Sequence, residues 1–135
     1  MYQYLNMRRI EIKHPDKLIN TGAYSAGIWV DGWLYISGQG PVNLSTGEVK
    51  RGTIEEETLL TLTHIKKITE AAGGRMEDIV KCTVHLSNIE DFERYDVAYA
   101  SFFPGIKPAR TTVQSVLSDG IKIEIDAIAR IEVVH

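Results

Sequence analysis

Apolar residues recur along the chain at two spacings, and the switch between them marks the elements. Met7–Lys13 alternates loosely and predicts a strand or strand-like arm. Ser25–Val30 and Trp33–Ser37 are two runs of β-forming residues split by Asp31-Gly32. A type I′ turn needs positive φ at both central positions, which Asp-Gly tolerates, so the two runs predict a hairpin. Pro41–Gly52 reads as a loop punctuated by Ser45-Thr46-Gly47. From Thr53 the spacing changes to three and four, and Leu59, Leu62, Ile65, Ile68 and Ala72 form one helical stripe. Thr53 and Glu56 have capping-box spacing, and Gly73-Gly74 accepts the left-handed conformation that closes a helix.

Ile79–Leu86 returns to a period of two, with Val80, Cys82, Val84 and Leu86 on one face and Lys81, Thr83 and His85 on the other. Ser87 and Glu90 offer a second capping box, for a helix bearing Phe92, Tyr95, Tyr99 and Phe102 until Pro104 breaks the pattern. Arg110–Val116 and Ile121–Ile131 predict two last strands, with Asp119-Gly120 as the turn between them. On the final strand Ile121, Ile123, Ile125, Ala127 and Ala129 point one way. Lys122, Glu124, Asp126 and Ile128 point the other. The order β-β-β-α-β-α-β-β predicts one α/β (α+β) domain over residues 1–135, a single sheet with two helices on one face. The second sheet face is mixed in character and suits packing against other copies around a symmetry axis.

Composition narrows the class. The 135 residues are 44% hydrophobic and 24% charged, the profile of an ordinary globular domain. A net charge of −3 argues against a nucleic-acid partner, which draws on a basic patch. One cysteine, Cys82, allows no disulfide within the chain and points to a reducing compartment. The opening MYQYLNMRRIEIKHP has no apolar core, so no secretory signal is expected, and no run approaches the roughly 20 apolar residues of a membrane span. A cytoplasmic protein with no membrane partner is the expectation.

Common catalytic signatures are sparse. His14, His64, His85 and His135 are scattered without ligand spacing, so no metal site is expected. Gly38-Gln39-Gly40 lacks the rest of a dinucleotide fingerprint, and Ser25, Ser37 and Ser115 lack a nucleophile elbow. Cys82 falls on an apolar strand face, where packing is the expected role. Two charges stand out. Arg110 follows the proline-containing segment Pro104–Pro108 and could grip a carboxylate with two prongs. Glu124, on the mixed face of what reads as the neighbouring strand, could order or deprotonate a water. The alternatives are a structural ion pair between these two, or two unrelated surface charges.

Eight segments carry a family resemblance. They are Tyr24-Ser25-Ala26, the run from Tyr35 to Pro41, Ser45-Thr46-Gly47-Glu48, Glu70-Ala71-Ala72-Gly73, Asp78-Ile79-Val80-Lys81-Cys82-Thr83-Val84, Phe102-Phe103-Pro104, Pro108-Ala109-Arg110-Thr111-Thr112-Val113, and the run from Ile123 to Ala129. In this order, from about Thr21 to Ile131, they resemble the reactive-intermediate deaminase family (YjgF/RidA); the arm of residues 1–20 matches poorly. The resemblance implies a chorismate-mutase-like fold and a homotrimer with active sites between subunits. It implies hydrolysis of 2-imino acids and enamines, such as 2-aminoacrylate, to 2-keto acids and ammonia, with no metal or cofactor. By position, it makes Arg110 the carboxylate binder, Glu124 the residue that positions water, and Tyr24 a cleft residue able to donate to the imine nitrogen. Ser37 and Gly38 fall beside the substrate, and Thr112 falls where the backbone is the contact. Ala23, Ala26, Gly40 and the short Phe103–Pro108 connection depart from the usual pattern and bear on substrate preference. Other activities in the family leave three alternatives: deamination of aminomuconate-type or pyrimidine-breakdown compounds, a non-catalytic ligand-binding or chaperone-like trimer, and an endoribonuclease or translation inhibitor.

Overall fold

The structure is a computed structural model and describes residues 8–133. Six strands form one sheet in the order β1-β2-β3-β6-β4-β5. The strands are β1 (Ile10–Ile12), β2 (Gly27–Val30), β3 (Trp33–Gln39), β4 (Ile79–Leu86), β5 (Ala109–Gln114) and β6 (Ile123–Arg130). All neighbours are antiparallel except β4 and β5. Helices α1 (Ile54–Ala71) and α2 (Phe92–Ala100) cover one face, in the predicted order of elements. Met7, from the predicted first strand, and His135 lie outside the described residues.

The hairpin forms as its turn chemistry demands, with Asp31 at φ 50° and Gly32 at φ 86°. The capping box of α1 is also present: Thr53 Oγ1 accepts from Glu56 N, and a Glu56 carboxylate oxygen accepts from Thr53 N. Leu62, Ile65, Ile68 and Ala72 are fully buried against the sheet. Leu59 is not part of that stripe and is 42% exposed. Thr58, Thr61 and Thr69 fill the buried side instead, and Thr58 and Thr69 satisfy their hydroxyls on the carbonyls of Ile54 and Ile65. Their polar type hides the true centre of the stripe.

Three further boundaries differ from the sequence reading. β4 carries a bulge: Ile79 pairs with Ala129 and Lys81 with Ile128, leaving Val80 as the extra residue. Val80 therefore leaves the buried face, and Ile79 enters it. Ser87 caps nothing at α2; Asn88 Oδ1 accepts from Glu90 N and opens a 3₁₀ turn over Ile89–Asp91 that leads into the helix. Asp119 and Gly120 do take positive φ, but the strands they join are not neighbours, because β4 lies between β5 and β6.

Strand β6 keeps its alternation. Ile123, Ile125, Ala127 and Ala129 pack under the helices, while Glu124, Asp126 and Ile128 face the open side. Trp33 and Tyr35 also lie on that open face and are 39% and 47% exposed, so they are not core residues. Cys82 is fully buried, and burial raises its thiol pKa, as a packing role requires.

Two buried polar ties hold the ends of the central loop. Glu57 is buried, and its carboxylate oxygens accept from Gly52 N at 3.0 Å and Lys122 N at 2.7 Å. It joins the end of the loop, the first turn of α1 and the start of β6. The second tie is a histidine pair. Asp16 N donates to His14 Nδ1 at 3.0 Å, so the His14 proton sits on Nε2 and points at His64 Nδ1, 2.9 Å away. His64 Nε2 then donates to Val42 O at 2.7 Å. The chain of donors is complete only when both rings are neutral.

Burial lowers both histidine pKa values, that of His14 to about 4. An unfolded chain takes up these protons near pH 6.5, so the stabilisation is complete above that pH and is lost as pH falls toward 4. His14→Asn has no such titration. Its stability deficit relative to wild type should shrink by about 3 kcal/mol between pH 7 and pH 4 in urea unfolding. A deficit that does not change with pH would contradict the neutral pair.

Candidate functional site

The predicted residues fall into two groups on opposite faces of the sheet. Arg110 is the second residue of β5, an edge strand, in register with Cys82, whose side chain is under the helices. Directly paired residues share a face, so the Arg110 side chain also rises toward α2. Its guanidinium carbon lies 5.4, 5.2 and 4.7 Å from the ring centres of Phe92, Tyr95 and Tyr99. Its Nη1 donates to Asp96 Oδ1 at 2.6 Å. Burial opposes the charge on Arg110, but the Asp96 hydrogen bond together with the nearby Asp96 charge and the Tyr95 and Tyr99 hydroxyls outweighs it, and the pKa stays above its ordinary value. Thr112, two residues on, gives its hydroxyl to the same cluster, 2.5 Å from the Tyr95 hydroxyl. Arg110, Asp96, Tyr99 and Lys107 line a cavity of about 390 Å³.

Glu124 belongs to the other face. It alternates with buried Ile123 and Ile125, and it pairs across to His85 on the open side of β4. Strand β4 separates it from Arg110. The structural ion pair between Arg110 and Glu124 is therefore absent, and the arginine pairs with Asp96 instead.

Strand β3 shapes the ground under Glu124. Ile36 pairs with Ala127 and Gln39 with Ile125, so Ser37 and Gly38 together oppose Asp126 alone. This bulge brings the backbone of Gly38 against the Glu124 carboxylate; a Cβ there would stand 2.6 Å from Oε2. A side chain at position 38 would compete with the acid for the same space, and the carboxylate, the flexible end of Glu124, would have to move. Ser37 donates its hydroxyl to Ser25 O at 2.6 Å, which fastens the bulge to the segment following Tyr24. Tyr24, Gly38, Gln39, Gly40 and Glu124 line a cavity of about 370 Å³, closed on its other side by Val42, Leu44 and Val49 of the central loop. The Tyr24 hydroxyl is 2.5 Å from Thr21 Oγ1, and Lys17 Nζ stands 4.8 Å over its ring.

One chain thus brings Tyr24, Gly38 and Glu124 to one cavity and Arg110 and Thr112 to another cluster. Ser37 supports the first from behind. A larger cavity of about 460 Å³, between the arm and the central loop, contains none of these residues. Among the described residues no group of three or more His, Cys, Asp or Glu could hold a metal ion, and no helix is long and apolar enough to cross a membrane.

Comparison with known proteins places this arrangement in a family. The model of the family described as Endoribonuclease L-PSP matches residues 15–131. The chain belongs to the YjgF/RidA family. A RutC family protein of Pyrococcus horikoshii is 42% identical over 109 residues, covering 80% of this chain and 86% of that protein. The 2-iminobutanoate/2-iminopropanoate deaminase of Rattus norvegicus is 39% identical over 109 residues, covering 80% of each. Among solved structures, Escherichia coli TdcF with bound serine superposes with a TM-score of 0.83 at 32% identity, covering 90% of this chain and 98% of TdcF. The fold is that of YjgF/RidA proteins.

Sequence reasoning missed Asp96, Glu57 and the His14–His64 pair. Asp96 is one of several polar residues on a short helix, and nothing in its spacing marks an arginine partner 14 positions on. The histidines are 50 positions apart. Glu57 sits one residue after the capping glutamate and reads as another first-turn acid.

The Gly38 contact has a direct consequence. Gly38→Ala should displace the Glu124 carboxylate while costing only about 1 kcal/mol of stability. A structure of the variant beside thermal unfolding checks this. A carboxylate left in place against the bulge would contradict the contact.

Proposed function

We propose that this YjgF/RidA protein hydrolyses small 2-imino acids and their enamine tautomers, such as 2-aminoacrylate, to 2-keto acids and ammonia. The observation that carries the proposal is the pair of complementary half-sites, a rigidly held guanidinium on one face and a carboxylate over a bulge on the other. Two copies of the chain would unite them, Arg110 from one and Glu124 with Tyr24 from its neighbour. The open sheet face, which exposes Trp33, Tyr35 and Val113 among polar residues, would be the packing surface of a homotrimer. The deaminase names of relatives at 39% and 33% identity support the reaction class.

The proposed chemistry needs little. Arg110 holds the substrate carboxylate, and the backbone beside Ser37, Gly38 and Thr112 borders the substrate. Glu124 orients a water and takes a proton from it as oxygen adds to the C=N carbon. The Tyr24 hydroxyl donates to the imine nitrogen, giving a carbinolamine. Glu124 then returns its proton to the nitrogen, the carbinolamine hydroxyl gives its proton back to Tyr24, and the C–N bond breaks to release ammonia and the 2-keto acid. Orientation of this kind lowers a barrier by several kcal/mol without a cofactor.

The test is to generate 2-aminoacrylate with a serine dehydratase and follow release of the keto acid. Wild type should accelerate release, and Arg110→Ala should lose about 100-fold in kcat/KM. Light scattering should give a mass near three times the 15.1 kDa chain. Keto acid binding without any acceleration would point instead to a ligand-binding trimer. RNA cleavage that survives Arg110→Ala would favour the ribonuclease activity in the matching family's name.

A further inference from the structure

We propose that Asp96 is a positioning residue for Arg110 and also sets the net charge that an incoming acid meets. The proposal rests on the carboxylate-binding role proposed for Arg110. Among the described residues, the guanidinium makes one hydrogen bond, from Nη1 to Asp96 Oδ1. Three aromatic rings bound it on the helix side. The Nε and Nη2 donors are left as a parallel pair, the edge that a carboxylate can accept from bidentately. Asp96 thus turns the fork so that its two-pronged edge is free.

The hold has an electrostatic consequence. Asp96 is half-exposed and lines the same cavity as Arg110, so its charge stands where an anionic ligand would enter. The cavity wall carries two cations, Arg110 and Lys107, and one anion, Asp96, which leaves one net positive charge. Lys107 is turned back onto Phe103 O at 2.7 Å, within the short connection that precedes β5. One carboxylate neutralises such a wall. A second carboxylate on the same ligand would meet Asp96 unmatched. Asp96 therefore trades some affinity for orientation and discriminates against dianionic acids.

The two roles separate by substitution. Asp96→Asn keeps an oxygen to accept from Nη1 and removes the charge; Asp96→Ala removes both. Asp96 is half-exposed and caps no helix, so neither change threatens the fold. Calorimetric titration of full-length protein with 2-oxobutanoate, a monoanion, and 2-oxoglutarate, a dianion, reads the outcome. In Asp96→Asn both acids should bind at least as tightly as to wild type, with the ratio shifted toward the dianion by about tenfold. In Asp96→Ala both should bind more weakly than to Asp96→Asn, because the fork is free to turn. An unchanged ratio in Asp96→Asn, or identical behaviour of the two variants, would overturn the proposal. Arg110→Ala is the control for its foundation. If that variant binds both acids as wild type does, the carboxylate-binding role of Arg110 fails, and the role of Asp96 with it. If Arg110→Ala loses binding while Asp96→Asn changes nothing, only the Asp96 proposal fails.

Discussion

Side chains on a strand alternate between the two faces of its sheet, and this one constraint governs how the protein can work. Arg110 shares a face with Cys82 and lies under α2; Glu124 shares a face with His85 and lies in the open. Strand β4 separates them, and they lie on opposite faces of the sheet. A site that needs both must join different chains. The open face presents aromatic and polar groups together, which suits the homotrimer proposed above.

Each half-site is held by the fold rather than by chance contacts. The guanidinium sits among three aromatic rings of α2 and is turned by Asp96. The carboxylate rests on a glycine that a β-bulge presents to it. Behind the bulge Ser37 is bonded to Ser25, just after Tyr24, so strand irregularity and cleft wall form one unit. Glu57 ties the backbone at Lys122, two residues before Glu124, to the end of the loop that closes the same cavity. The histidine pair fixes Val42 of that loop to α1 and the arm. Buried polar groups of this kind leave little freedom, because each donor would be costly to strand.

Much of this was legible in the sequence. The Asp31-Gly32 hairpin, the Thr53–Glu56 box and the alternation of β6 follow from local rules, and the structure contains them. Local rules failed where a tertiary contact decided the matter. Threonines took buried helix positions because their hydroxyls bond within the helix, and Leu59 was left outside. Val80 left its face at a bulge that depends on pairing with β6. The order of strands hid the relation of Arg110 to Glu124: consecutive in sequence, β5 and β6 are separated by an earlier strand. Motif resemblance found the candidate residues. It could not find Asp96, His14, His64 or Glu57, whose roles arise from contacts between distant segments.

The most direct measurement of the central claim mixes two inactive proteins. Arg110→Ala subunits keep Glu124, and Glu124→Gln subunits keep Arg110. If each site takes one residue from each of two copies, co-refolding equal amounts should restore about a quarter of wild-type imine hydrolysis, since about one site in four regains both groups. A mixture as inactive as its parents, in oligomers shown by mass to contain both chains, would contradict a site shared between copies.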